Sequence, residues 1–292
     1  MNIKTSRPET SAQLKGKVYD FHSRTYIMGV LNVTPDSFSD GGRFLDIDSA
    51  IRQGISMAEE GADIIDVGGE STRPGSEPVP AQEEIKRIIP VITELASRIN
   101  IPISVDTYKA EVARKALSAG AEIINDISAL RFDPEMADVA KEFNSGLVLM
   151  HMQGNPKDMQ RAPVYNDVLA AIRDFFTEQT EFALSRGIDR SKIILDPGIG
   201  FGKTTEHNLR ILQNLSYFKS LKFPLLIGVS RKSLIGNILN LPSAERLEGS
   251  LAGMVFAIQN GANIVRVHDV RESVRAARVI DRLKNSDGIP KN

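Results

Sequence analysis

The chain has 292 residues, 41% of them hydrophobic, and a formal net charge of -1 at pH 7. This balance of charge gives no broad attraction to nucleic acid or anionic lipid, so no partner of either kind is expected. The absence of cysteine excludes disulfides, thiol nucleophiles and cysteine zinc sites, and no stretch resembles a signal peptide or membrane span, so we expect a globular cytoplasmic protein.

Short β-rich segments recur along the chain, and an amphipathic segment follows nearly every one. The predicted strands cover residues 26–32, 63–67, 101–106, 121–126, 146–151, 192–196, 224–230 and 263–268. In segments such as 48–61, 110–120 and 169–187, apolar residues recur at three- and four-residue spacing, which predicts helices. Several helical segments end at a glycine suited to a C-terminal cap, namely Gly61, Gly120, Gly187 and Gly261.

The alternation of apolar strands with helices predicts an α/β protein whose parallel sheet is covered on both faces. Eight units favour a single (β/α)₈ TIM barrel over residues 25–287, with a short N-terminal extension over 1–24 and a C-terminal tail over 288–292. An open doubly wound sheet is the alternative. The barrel is favoured because each strand ends at or near a polar residue, and a barrel gathers these ends on one face: Asn32, Asp66, Asp106, Asn125, His151, Asp196, Ser230 and His268.

The loops after the first two strands are unusually polar. The first runs through "NVTPDSFSDGG" from Asn32 and carries Phe38 and Asp40, and the second is "GGESTRPGSEP", residues 68–78. Ser71, Thr72 and Arg73 are poor packing residues but good anion ligands, although an ordinary solvated loop would also accommodate them.

Carboxylates and amides at strand ends are the strongest signal of a site. Any single one of Asn32, Asp106, Asn125 and Asp196 could simply cap the next helix. Their convergence at one rim instead favours a pocket for a flat heterocycle with several N–H donors, because an ionised carboxylate only accepts hydrogen bonds. A guanidine-like edge suits such a pocket best.

Cations follow the last two strands. Arg231 and Lys232 stand in "SRKS", and Arg266 and His268 lie two apart on the last strand, so both should point into the barrel mouth. Loops after strands seven and eight often hold phosphate in this fold. The pattern therefore predicts a bound phosphate group.

The segment "DPGIGFGKTTEHN", residues 196–208, resembles a nucleotide-binding loop but fits neither known pattern. Pro197 occupies the glycine that a P-loop requires, and the dinucleotide glycine pattern also fails. We interpret it as a flexible loop that carries Phe201 over the pocket. Of the histidines, His151 is interpreted as structural, His22 and His207 receive no role, and no spaced metal cluster is formed.

Taken in order, the motifs resemble the dihydropteroate synthase family over about residues 25–285. They are "NVTPDSFSDGG", "GGESTRPG", "SVDTYK", "IND", "LMHMQG", "DPGIGFGK", "SRKS" and "RVHD". Ala129 replaces a common glycine and Asn155 a frequent threonine, neither at a ligand position. The resemblance implies a barrel that condenses 6-hydroxymethyl-7,8-dihydropterin diphosphate with 4-aminobenzoate, with Mg²⁺ as cofactor and a homodimer as the assembly.

The resemblance also assigns roles to residues. The pterin would be held by Asp106, Asn125, Asp196 and Lys232, with Met150 lining its pocket. The diphosphate would be held by Thr72, Arg266, His268 and the backbone of Val267, with Asn32 ligating Mg²⁺. The aminobenzoate site, the target of sulfonamides in this family, would be shaped by Phe38, Thr72, Arg73, Pro74, Phe201 and Ser233.

Catalysis is expected from Asp106, Lys232, Arg266 and His268, with Asp40 as a loop carboxylate that joins the metal or the amine. A dissociative displacement at the pterin methylene is expected, because an aniline is a weak nucleophile. Two alternatives are a corrinoid-type pterin methyltransferase domain, which would lack the diphosphate residues, and a non-catalytic pterin-binding barrel, which would have lost a metal or loop residue.

Overall fold

The computed structural model describes residues 11–14, 17–21, 23–34, 43–71, 75–161 and 163–284. An antiparallel hairpin of β1 (Ser11–Leu14) and β2 (Lys17–Asp20) precedes a sheet of eight parallel strands. These strands are β3 (Tyr26–Asn32), β4 (Ile64–Gly68), β5 (Ile103–Asp106), β6 (Ile123–Asp126), β7 (Gly146–Met150), β8 (Ile193–Asp196), β9 (Leu226–Ile227) and β10 (Ile264–Val267).

Helices follow the barrel strands in the order that the sequence pattern predicts. They are α1 (Arg43–Glu59), α2 (Ala81–Arg98), α3 (Ala110–Ser118), α4 (Met136–Glu142), α5 (Val168–Ser185), α6 (Thr205–Gln213), α7 (Ser233–Leu239), α8 (Leu247–Asn260) and α9 (Val270–Lys284). Short 3₁₀ turns cover Arg190–Lys192, Leu215–Leu221 and Ser243–Glu245. Among the described helices, none is both long enough and apolar enough to cross a bilayer.

The sheet curls into a nearly closed barrel. Its strand order is β8-β7-β6-β5-β4-β3-β10-β9, and the gap between β8 and β9 is bridged by Leu195 and Leu225. The predicted TIM barrel is confirmed, and the open-sheet alternative is wrong. The seventh predicted strand, 224–230, is shorter than expected because the chain leaves the ladder after Ile227 and turns at Arg231, whose φ is 56°.

Two apolar layers build the core. Side chains that face the barrel interior at the amino ends of the strands form one cluster, which contains Met28, Ile64, Ile123, Val148, Ile194, Leu226 and Ile264. Tyr19 and Phe21, from the hairpin and the turn after it, pack in this cluster beside Tyr26. A larger cluster lies between the outer face of the strands and the helices. The opposite end of the interior, at the carboxyl ends of the strands, is left to polar residues.

Glycines end the helices where the sequence predicts. Gly61, Gly120, Gly187 and Gly261 all have left-handed φ values, between 84° and 119°. Ala129 also adopts a left-handed φ, 51°, which gives a physical reason why glycine suits that position. The predicted division at residues 24 and 287 stays a prediction, and the tail over 288–292 lies outside the described residues.

Candidate active site at the barrel mouth

Alternate residues of each strand point into the barrel, and near the mouth these are charged or polar. Arg266 of β10 crosses the interior to two carboxylates: its Nε lies 2.6 Å from Asp66 Oδ2 and its Nη2 lies 2.7 Å from Asp106 Oδ2. Asn125 Nδ2 of β6 donates to the same oxygen of Asp66 at 3.0 Å. Strands β4, β5 and β6 are thereby joined to β10, which lies beyond β3 in the sheet, in one hydrogen-bonded network.

The pKa values in this network depend on burial and on the charge of Arg266, its single cation. Burial raises the pKa of Asp106 to about 7, against the attraction of Arg266 and together with the repulsion of Asp66. Burial alone would lower the pKa of Arg266, but Asp66 and Asp106 raise it above its usual value, so this guanidinium is always charged. Among the described residues, Asp66 Oδ1 and Asp106 Oδ1 are buried and have no hydrogen-bond partner. Two buried acceptors are therefore available to a ligand with N–H donors.

A second pair of charged residues is formed by Asp196, at the carboxyl end of β8, and Lys232, in the turn before α7. Asp196 Oδ1 accepts the amide of Gly198 at 2.7 Å, and burial raises the pKa of Asp196 while Lys232 opposes that shift. Burial lowers the pKa of Lys232 to about 8, which Asp196 partly offsets. Lys232 Nζ donates to the carbonyl of Ile199 and lies 4.8 Å from the centroid of the Phe201 ring. The lysine is thus fixed between a carbonyl and an aromatic face.

The other two cations that follow the last strands, His268 and Arg231, lie in different places. His268 stays at the mouth, with Nδ1 3.0 Å from Ser230 Oγ and its amide donating to the same oxygen. Arg231 does not join the site, because its guanidinium pairs with Asp269 at 2.5 Å and 3.1 Å. Of the two cations that the sequence places after the seventh strand, only Lys232 therefore lies at the site. Val267 is buried on β10, and Ser233 is the exposed first residue of α7, beside Lys232.

A methionine-rich apolar cluster forms one wall of the mouth. Met150 of β7 packs with Ile127, Met152 and Met159, and Tyr108 and Phe201 lie partly buried against them. Only Met150 and Phe201 were predicted from the sequence. The signal for Met152 is its spacing of two from Met150, whereas Met159 comes from a loop whose return to the mouth no local pattern indicates.

The loop that carries Phe201, which is predicted to be flexible, makes hydrogen bonds to the surrounding structure through several of its main-chain groups. Its carbonyls and amides are bonded to Asn208, Gln160, Tyr165 and Lys203. His151 is buried, as the structural interpretation expects, with its ring edge-on to Phe175 at 4.9 Å. His207 caps α6 in a reciprocal pair with Thr204.

A carboxylate that the sequence analysis did not single out closes the loop after β4. Glu70 accepts the Tyr108 hydroxyl at 2.7 Å and the amide of Val79 at 3.0 Å. Lys109 bridges Glu70 to the buried Glu84. "GGESTRPG" and "SVDTYK" are therefore joined through residues that have no proposed contact with a ligand.

Several predicted residues lie outside the described residues: Phe38, Asp40, Thr72, Arg73, Pro74 and His22. Their roles stay predictions. Asn32 is described as the half-buried last residue of β3, in register with Gly68 of β4. Among the described residues, no three His, Asp or Glu side chains are grouped to hold a metal ion. The side-chain amide oxygen of Asn32 still suits Mg²⁺, because this ion is usually held by only one or two protein oxygens, together with waters and substrate phosphates.

Comparison with known proteins gives a consistent match. The family model for pterin binding enzymes matches residues 28–268. A dihydropteroate synthase from Synechocystis sp. is 50% identical over 267 residues, which cover 91% of this chain and 92% of the relative. The structure of the Yersinia pestis dihydropteroate synthase with a sulfonamide drug complex superimposes with a TM-score of 0.89 at 44% identity, covering 94% of this chain and 99% of that one. The structure of the Xanthomonas albilineans dihydropteroate synthase in complex with 7,8-dihydropteroate has a TM-score of 0.85 at 40% identity, with coverage of 94% and 99%.

Proposed function

Since the chain belongs to the pterin binding enzymes and, among them, to the dihydropteroate synthases, we propose how its barrel mouth carries out their reaction. These enzymes are transferases. The reaction joins 6-hydroxymethyl-7,8-dihydropterin diphosphate to 4-aminobenzoate and releases pyrophosphate and 7,8-dihydropteroate. The observation that carries the proposal is the pair of charged groups across the mouth, Asp66–Arg266–Asp106 on one side and Asp196–Lys232 on the other. The methyltransferase and the non-catalytic barrel are not supported by the relatives and solved structures, which are dihydropteroate synthases.

The pterin ring fits the polar wall of the mouth. Its guanidine-like edge offers N–H donors, and the buried acceptors Asp66 Oδ1 and Asp106 Oδ1 have no partner among the described residues. We place the ring among Asp106, Asn125, Asp196 and Lys232, with the methionine-rich cluster beside it. The apolar wall gives the ring a dry surface and leaves hydrogen bonding to its edges.

The diphosphate would lie toward the ends of β3 and β10. Arg266, His268 and the amide of Val267 would bind its oxygens and stabilise the charge that develops on the leaving group. Asn32 would hold Mg²⁺ with that diphosphate, and the ion would supply further charge neutralisation. Thr72 is proposed to join this set from the loop after β4.

In the proposed displacement, the bond from the pterin methylene carbon to the diphosphate oxygen breaks first. The electron pair leaves with pyrophosphate, and the ionised Asp106 favours the cationic methylene that remains. The amine nitrogen of 4-aminobenzoate then bonds to this carbon and gives up one proton. Phe38, Arg73, Pro74, Phe201 and Ser233 would bind the aminobenzoate, and Asp40 would act near its amine or near the metal.

The experiment that tests the proposal is pyrophosphate release from the pterin diphosphate, with and without 4-aminobenzoate, in Mg²⁺ and in EDTA. We expect release that needs the metal and is coupled to dihydropteroate formation. Some release without 4-aminobenzoate would support breakage of the C–O bond first. Pterin binding with no release under any condition would contradict the enzyme function. A homodimer and a cytoplasmic location are proposed as well, to be tested by solution mass and by cell fractionation.

A further inference from the structure

The loop between β8 and α6 contains a buried lysine that has no part in the reaction as proposed above. Lys203 is only 3% exposed, and its Nζ lies within hydrogen-bond distance of three main-chain carbonyl oxygens. These belong to His151 at 3.2 Å, Gly198 at 3.0 Å and Phe201 at 2.9 Å. An ammonium group has three hydrogens and no lone pair, so three carbonyl oxygens satisfy it completely. Burial lowers the pKa of Lys203 well below its usual value, and Asp196 opposes that shift. The charged form is stable at this depth only when it is bonded in this way.

The ring of His151 completes the surroundings of Lys203. Its Nδ1 lies 3.0 Å from Nζ, so this ring nitrogen must present a lone pair and not a proton to the ammonium group. Burial lowers the pKa of His151 well below its usual value, and the charges of Lys203 and Arg131 lower it further. His151 is therefore neutral, which makes it a compatible neighbour for a buried cation.

The glycines of this loop allow it to lie directly on the main chain that follows β7. Gly198 and Gly202 have left-handed φ values of 68° and 61°. A Cβ atom would come within 2.0 Å of the His151 carbonyl oxygen at the first position, and within 2.6 Å of the Gln153 carbonyl oxygen at the second. The likeness to a nucleotide-binding loop thus has a different cause, because the lysine binds carbonyl oxygens of its own chain where a P-loop lysine binds phosphate.

The same loop contacts the proposed site at successive positions. The amide of Gly198 donates to Asp196, the carbonyl of Ile199 accepts from Lys232, and the ring of Phe201 lies beneath the Lys232 ammonium group. A Cβ atom on Gly200 would lie 3.3 Å from Lys232 Cδ, so the loop also follows the aliphatic part of that side chain. The position of the loop therefore determines where Asp196, Lys232 and Phe201 stand.

We propose that Lys203 is a positioning residue for the transfer reaction. Its ammonium group fixes loop 197–203 to the main chain after β7, and so holds Lys232, Asp196 and Phe201 in the geometry that binds the pterin. The inference rests on the proposed function only for the roles of those three residues. Lys203 itself contacts none of the reacting groups.

The test compares Lys203→Met, which keeps the chain length and removes the donors, with Lys115→Met, an exposed lysine on α3 as the matched control. We expect kcat/KM for the pterin diphosphate to fall by about tenfold or more for Lys203→Met, because small misplacements of binding groups are costly. We also expect faster amide hydrogen exchange over residues 198–203. The Lys115→Met enzyme should match the wild type in both measurements.

A second signature separates positioning from general destabilisation. Lys232 faces Asp196 from β8, Asp106 from β5 and Arg266 from β10, and it also interacts with Lys203. Its pKa is lowered chiefly by burial, and the loop covers it through the Ile199 carbonyl and the Phe201 ring. We expect the fall in rate at high pH, the alkaline limb of the pH–rate profile, to follow deprotonation of Lys232. Loosening the loop should raise the pKa of Lys232 and therefore move this limb to higher pH. A folded Lys203→Met enzyme with kcat/KM within about twofold of wild type and an unchanged alkaline limb would overturn the proposal.

A milder variant covers the case in which Lys203→Met does not fold. Tyr165→Phe removes only the hydroxyl that donates to the Gly202 carbonyl at 2.8 Å. We expect a two- to threefold loss in kcat/KM, about the effect of one lost hydrogen bond, with faster exchange over 198–203. Lys203→Arg, which keeps the charge but not the fit to three carbonyl oxygens, is measured beside it. No change in either measurement for both variants would overturn the proposal. If the wild-type enzyme releases no pyrophosphate, the proposed function fails, whereas hydrogen exchange still tests the anchoring of the loop.

Discussion

Asp66 shows how a single buried carboxylate can organise a site without being one of its expected ligands. It is fully buried, and one of its oxygens accepts from both Arg266 and Asn125. The sequence marked it only as one polar strand end among eight. Its partners lie 59 and 200 residues away, and no local pattern connects them. Asp66 therefore orients two proposed substrate-binding side chains at once.

Replacement of Asp66 should be costly in both stability and activity. We expect Asp66→Asn to lower the free energy of unfolding by about 3 kcal/mol, because it leaves the half-buried Arg266 with one carboxylate fewer. The matched control is Asp138→Asn, which breaks an exposed pair with Arg186 and should cost less than about 1 kcal/mol. Denaturant unfolding measures both variants. Equal losses for the two would contradict the role assigned to the buried network.

The opposed pKa shifts of Asp106 and Lys232 predict the pH dependence of the reaction. The carboxylate of Asp106, with a pKa of about 7, must lose its proton to favour a cation, and the ammonium group of Lys232, with a pKa of about 8, must keep its own. We therefore expect a narrow bell-shaped dependence of kcat/KM on pH, which rises as Asp106 loses its proton and falls as Lys232 loses its own.

A conservative variant tests the assignment of the alkaline limb. Lys232→Arg keeps its charge throughout the accessible range, so the fall at high pH should disappear even if the maximal rate is lower. Circular dichroism at each pH controls for unfolding. A wild-type profile that is flat from about pH 6 to about pH 9 would contradict both assignments.

At the scale of elements, the base of the loop after β4 is closed by one side chain. Glu70 lies near the start of that loop, and it accepts a hydrogen bond from the amide of Val79, which follows the loop. Tyr108 and Lys109 approach Glu70 from the segment after β5. Burial raises the pKa of the neighbouring Glu84, although Lys109 opposes that shift. The two ends of the loop are thus tied to each other and to the adjacent βα unit.

Loosening this closure should affect one substrate more than the other. For Glu70→Gln, we expect the KM for 4-aminobenzoate to rise about tenfold with little change in the KM for the pterin diphosphate. The reason is that the loop carries Arg73 and Pro74, which are proposed to bind 4-aminobenzoate, whereas Thr72 is only one of several groups proposed to bind the diphosphate. Glu77→Gln is the control, since Glu77 lies in the same loop but is 73% exposed. A parallel rise in both KM values would argue against selective positioning.

Elements with a local signal could be predicted from the sequence, and those that depend on distant contacts could not. Eight strands, their polar ends and the glycine caps follow from periodicity and backbone preference, and the structure bears them out. The early end of β9 and the diversion of Arg231 to Asp269 were missed, because both depend on how the chain turns into α7. Glycines suggested a flexible loop at 198–202, but they serve close packing around Lys203.

At the scale of the whole molecule, apolar side chains remain exposed on the outer surface of the barrel. Helices α6, α7 and α8 pack against one another, and each presents at least one such residue. Leu209, Ile238, Leu239 and Phe256 are between 38% and 60% exposed. A cluster of this kind on neighbouring helices is typical of a protein–protein interface. We take it as the surface that would join two copies in the proposed homodimer.

This surface gives the last prediction. Light scattering should find a wild-type mass of about twice 32.1 kDa, and the double variant Ile238→Glu/Phe256→Glu should fall to the monomer mass, because charge in an apolar interface is costly to bury. Phe182→Glu, on α5 and 40% exposed, is the control and should leave the dimer intact. A wild-type monomer, or a double variant that stays dimeric, would show that this surface does not join the two copies.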